Sequence, residues 1–70
     1  MGMKFTIECE QEEDGRWLSE VLELPGVLAY GSTPEEASAK AQALGLRAIA
    51  DRIEHAEEPQ TLLDISFAAA

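Results

Sequence analysis

From Met3 to Glu10 the chain alternates apolar and polar residues. Met3, Phe5, Ile7 and Cys9 point one way and Lys4, Thr6, Glu8 and Glu10 the other. A period of two with one apolar face is the pattern of a half-buried β-strand. Gln11 to Gly15 is polar and closes on Asp14-Gly15, a hairpin-turn dipeptide. Arg16 to Leu22 then reads as the return strand, with Trp17, Ser19 and Val21 on one face and Leu18, Glu20 and Leu22 on the other. Matching the first strand directs Trp17 and Val21 inward, and Ser19 leaves room for close approach of a helix. Leu24-Pro25-Gly26 is a corner, because proline fixes φ and glycine accepts positive φ. Val27 to Tyr30 is a short third strand ended by Gly31.

Thr33-Pro34-Glu35-Glu36 carries the signs of a helix start: a capping hydroxyl, proline at the first helical position and a glutamate placed for a capping box. The helix is expected to run to about His55, before Glu57-Glu58-Pro59. Ala37, Ala41, Leu44 and Ala48 define one face, flanked by Gly45 and Ile49, and Glu36, Lys40, Arg47, Asp51 and Glu54 form a charged stripe. Leu46, Ala50 and Ile53 occupy a further apolar sector that one sheet cannot also cover, which marks them as a candidate oligomer interface. Gln60 to Phe67 alternates again, with Leu63, Ile65 and Phe67 on one face and Leu62, Asp64 and Ser66 on the other, leaving Ala68 to Ala70 as a tail. The expected fold is therefore α+β, ordered β-β-β-α-β. Two antiparallel connections followed by a helical crossover predict a sheet of order 3-2-1-4 with the helix on one face, a reduced version of the ribonuclease H sheet.

Length and charge narrow the function. Seventy residues make one domain, 1–70, too small to bury a large fraction of its surface, and self-association to a dimer or tetramer is a usual remedy. Cys9 is the only cysteine, so no disulfide is expected, and its place in the alternation reads as a small buried apolar residue in a reducing compartment. The net charge of −9 argues against direct contact with nucleic acid or an anionic membrane, and suits a basic protein partner. No signal peptide is read, and the stretch from Leu24 to Glu35 is broken by prolines and glycines and cannot span a membrane, so the expected location is the cytoplasm.

Little in the chain announces catalysis. One cysteine and one histidine cannot build a zinc site, His55 has no placed nucleophile, and Gly26 and Gly31 read as turn glycines rather than a phosphate loop. No cofactor is expected. Glu8, Glu10, Glu20 and Asp64 share the expected open sheet face, so a magnesium-dependent nuclease is the enzyme alternative. The same acids beside Leu18, Leu22 and Leu62 also make a protein-docking surface, with Glu8, Glu10, Leu18, Glu20, Leu22 and Glu23 as candidate partner-binding residues.

Asp14-Gly15, Trp17, Glu20, Leu24-Pro25-Gly26, Gly31, Thr33 and Glu35-Glu36-Ala37 occur in an order that resembles the HicB-like antitoxin family. The likeness covers roughly Met3 to Glu58. It implies a partial ribonuclease H fold without nuclease activity that self-associates and covers a HicA-type toxin, a small basic protein that cleaves mRNA. The chain has Val27 where the family often has cysteine, lacks the proline common near Leu22 or Glu23, and ends soon after the fourth strand. A C-terminal DNA-binding segment is therefore not expected. The reading is a non-enzymatic binding module that neutralises such a toxin. The alternative is a self-associating structural or regulatory protein without a toxin partner.

Overall fold

A computed structural model describes residues 2–56 and 63–70. The elements are β1 (Gly2–Gln11), β2 (Trp17–Val21), β3 (Leu28–Gly31), α1 (Pro34–Glu54) and β4 (Asp64–Ala69). The strands form one mixed sheet of order β3-β2-β1-β4. β1 is antiparallel to β2 and parallel to β4, and β2 is antiparallel to β3. This is the α+β architecture and strand order that the alternation predicts. The expectations on Glu57-Glu58-Pro59, on a strand start at Gln60 and on Leu62 lie outside the described residues.

The β1–β2 connection is more than an Asp-Gly reversal. Gly15 N–H donates to Glu12 O at 3.0 Å, Glu12 N–H donates to Arg16 O at 2.7 Å, and Gly15 takes φ 92°. Asp14 locks the turn by accepting from the Arg16 backbone N–H at 3.0 Å and from its Nε at 2.7 Å. Both bonds favour the charged carboxylate and hold Asp14 below its ordinary pKa. At the second corner Val27 N–H donates to Leu24 O at 3.0 Å across Pro25 and Gly26 (φ 84°), the residue placement of a type II turn. The turn drives Leu24 inward until it is 1% exposed, so a corner residue becomes a core residue.

Phe5, Ile7, Val21, Leu24, Ala41 and Ile49 form the core, with Met3, Val27, Ala29, Ile65 and Phe67 against it. Ser19, paired with Cys9 and Ala29, is fully buried beneath the helix. Phe5 and Phe67, opposite each other across β1 and β4, stack with centroids 5.5 Å apart.

The helix seats on Ala37, Ala41, Gly45 and Ile49, one residue per four positions. Small residues let its backbone approach the sheet closely, most of all at Gly31, where an added Cβ would lie 2.6 Å from Ala37 N. Leu44 does not share that face as its spacing suggests. The buried row climbs in steps of four, which turns Leu44 toward the β3 edge, where it is 39% exposed. Thr33 caps the helix by accepting from Glu36 N–H at 3.0 Å. The reciprocal half of the capping box is absent, because the Glu36 carboxylate instead accepts from Ser32 Oγ at 2.8 Å and Lys40 Nζ at 3.0 Å.

Two further expectations need correction. Cys9 is exposed, because β4 pairs with β1 only as far as Ile7 and leaves the edge beside Cys9 open, and its thiol joins polar neighbours rather than the core. Ala68 and Ala69 are not a tail: they pair with Thr6 and Ile7, and Ala70 N–H donates to Ile7 O at 2.9 Å. The ten-residue β1 offers backbone groups that this extension satisfies.

Candidate docking face

With the helix on one side, strand alternation assigns the other side of the sheet to β1 residues Lys4, Thr6, Glu8 and Glu10, and to Leu18, Glu20, Leu28, Tyr30, Asp64 and Ser66. Register arranges part of that face as a grid. Tyr30, Leu18 and Glu10 form one row, and Leu28, Glu20 and Glu8 the next. The β3 side is therefore apolar and the β1 side acidic. Leu28 and Tyr30 are 38% and 39% exposed, and Leu22, just beyond β2, is 46% exposed. Leu22 is tied down by its N–H, which donates to Thr6 O at 3.0 Å.

Glu8 and Glu20 stand directly opposite each other, an unfavourable like-charge pair. Of the charges on this face, Arg16 lies over the Tyr30 ring at 4.4 Å and is itself paired with Asp14. The sheet thus carries concentrated negative charge next to exposed apolar side chains.

Glu23 behaves differently from its acidic neighbours. Its Oε1 accepts from Thr6 N–H at 2.7 Å and its Oε2 from Thr6 Oγ1 at 2.8 Å. Where β2 stops pairing, this side chain takes over as acceptor for β1. Both bonds, the backbone one foremost, hold the Glu23 carboxyl below its usual range.

Asp64 is opposite Gly2, six positions along β1 from Glu8, or about 20 Å at strand rise. The four carboxylates of the nuclease reading therefore share a face without converging. Among the described residues no group of three or more His, Cys, Asp or Glu side chains is arranged to hold a metal ion. On the helix side, Cys9 Sγ lies 2.9 Å from Ser19 Oγ and 3.1 Å from Ser38 Oγ, and the two hydroxyls are 3.3 Å apart. His55, at the far end of α1, is 17 residues from Ser38, about 25 Å along the axis, and cannot act as base for this cluster. No described helix is long and apolar enough to cross a membrane.

Leu46, Ala50 and Ile53 all lie exposed on α1, away from the sheet. Leu28 and Tyr30 belong to the open sheet face and were not among the residues expected there. Their two-residue spacing carried the signal, but it becomes legible only when register sets Leu18 beside Tyr30. No protein-family model, curated protein or solved structure matches the chain.

Proposed function

We propose that this protein is a non-enzymatic binding module whose open sheet face docks a small basic protein, in the manner its resemblance to HicB-like antitoxins implies for a HicA-type mRNA-cleaving toxin. The observation that carries this reading is the grid of Glu8, Glu10 and Glu20 beside Leu18, Leu28 and Tyr30. Apolar anchors next to a field of one sign suit a partner of the opposite sign. A cation inserted between Glu8 and Glu20 relieves their mutual repulsion, so part of the binding energy comes from a strain that the free protein carries. Leu18, Leu22 and Leu28 supply contact area. Glu23, engaged with Thr6, shapes the edge of the face rather than meeting the partner as a free charge.

The test is capture from the native host followed by assay of the captured protein. The expected partner is a small, basic, stoichiometric protein that degrades RNA alone and is silenced by this chain. Glu8→Lys with Glu20→Lys should weaken that complex by about 10- to 100-fold, since rim and facing charges of the wrong sign oppose it. Recovery of further copies of this chain alone, or a complex indifferent to those two substitutions, overturns the reading. Copies alone would favour the self-associating alternative.

A further inference from the structure

The helix is apolar on two opposite faces. Ala37, Ala41, Gly45 and Ile49 face the sheet. On the far side Ala39, Ala43, Leu46, Ala50 and Ile53 are all exposed, Leu46 at 48% and Ile53 at 41%. Their spacing is four, three, four and three. That is the repeat of a helix–helix seam, averaging about 3.5 residues, and not of a solvent face. Flanking the seam on one side are Lys40, Arg47 and Glu54, each one residue beyond a seam position.

We infer that this seam packs antiparallel against the same seam of a second copy of the chain. In antiparallel pairing, seam positions of the two types alternate across each layer. One register sets Ala43 against the second copy's Ile53 and Leu46 against the second copy's Ala50, and symmetry repeats both pairs. Each of the four layers then joins a small residue to a large one, so the volumes complement. The same register brings Lys40 beside the second copy's Glu54, twice over. The two Arg47 side chains approach each other, each with Asp51 one turn onward in its own chain to offset the contact. Sliding by one heptad one way sets Ala39 against the second copy's Ala50 and Lys40 against the second copy's Arg47; sliding the other way keeps Ala50 against the second copy's Ile53 and sets Arg47 beside the second copy's Glu54, but halves the seam to two layers. Size, charge and length of overlap together favour the four-layer register. The seam turns away from the sheet, although Lys40, Ala43 and Arg47 share a groove with Leu28 and Tyr30 at the β3 edge, so a dimer of this kind leaves Glu8, Glu10 and Glu20 open on both copies and borders the apolar margin of that face.

In a Cys9→Ser background, the chain should sediment as a dimer. Leu46→Glu should raise the dimer dissociation constant at least about a hundredfold, since two buried leucines are replaced by charge. The circular dichroism of that variant should stay unchanged, because Leu46 is 48% exposed and belongs to neither the core nor the residues packed against it. Register is read by disulfide trapping. Mixed Ala43→Cys and Ile53→Cys chains should oxidise to the heterodisulfide, while neither should link to itself, the like positions being about 15 Å apart. A wild-type chain that stays monomeric to millimolar concentration overturns the inference. So does a dimer untouched by Leu46→Glu, or rapid self-linkage at Ile53→Cys, the mark of parallel pairing.

Discussion

Gly31 and Gly45 are both buried, yet a methyl group added at each should have opposite effects. At Gly31 the new Cβ meets backbone, Ala37 N at 2.6 Å and Ala37 Cα at 3.0 Å, so the first helical turn must lift off β3. Gly31→Ala should cost about 1–3 kcal/mol, as overpacking of a rigid contact does. At Gly45 the nearest atoms are Phe67 Cε1 at 3.4 Å and Leu24 Cδ1 at 3.6 Å, ordinary contact with side chains. Gly45→Ala removes the entropy penalty of a mid-helix glycine and should stabilise by about 0.5–1 kcal/mol. Urea titration of both variants checks the pair, and a destabilised Gly45→Ala would show that the helix–sheet spacing is tighter than these distances imply. Glu23 offers a second test at this scale. A carboxylate whose folded pKa is depressed stabilises the fold above its ordinary pKa of 4.5, and loses that contribution as pH falls through the folded value. Glu23→Gln keeps an acceptor for Thr6 N–H but not the charge. The stability gap between wild type and Glu23→Gln should be widest at neutral pH and narrow as pH falls below the ordinary carboxyl value of 4.5. A gap that ignores pH would assign the contribution to shape rather than to charge.

The elements themselves show where sequence reasoning succeeds and where it stops. Alternation located the four strands, and Thr33-Pro34 placed the helix start at the observed residue, because these signals are local: side-chain parity and a hydroxyl beside unpaired N–H groups. Strand ends were less legible. Ala68 and Ala69 join β4 because β1 is long enough to pair with them, a fact about another element. Leu44 was misplaced for a similar reason. Its spacing fits a helical face as well as that of Ile49 does, and the choice between them rests on how the helix crosses the sheet. Cys9 fits the apolar phase of β1, but β4 stops pairing at Ile7 and leaves that edge uncovered. The docking face was half legible. Glu8, Glu10, Leu18, Glu20 and Leu22 follow from parity alone, whereas Leu28 and Tyr30 enter through the β2–β3 register, and the Thr6 contacts of Glu23 through a corner that no periodicity describes.

At the scale of the whole molecule, charge separates the helix seam from the acidic sheet face. The chain carries −9 within a body of 45 × 19 × 16 Å, so two copies packed side by side hold their centres about 20 Å apart. The repulsion between two such charges at about 20 Å in unscreened water is of order 10 kcal/mol. The two Lys40–Glu54 pairs of the antiparallel seam return at most about 1 kcal/mol each, as exposed pairs do. Added salt removes more repulsion than attraction, and the dimer should tighten as salt rises from about 50 mM to about 0.5 M, where the Debye length drops below about 5 Å. Docking of a basic protein on Glu8, Glu10 and Glu20 responds with the opposite sign. Its complementary fields are screened, and its association rate and affinity should both fall over the same range. A single salt series followed by sedimentation for the dimer and by surface-bound kinetics for the partner distinguishes the two contacts. If both weaken together, self-association uses the acidic face and competes with the partner. If they diverge, the helix seam and the sheet face act independently, and one dimer presents two docking faces at once.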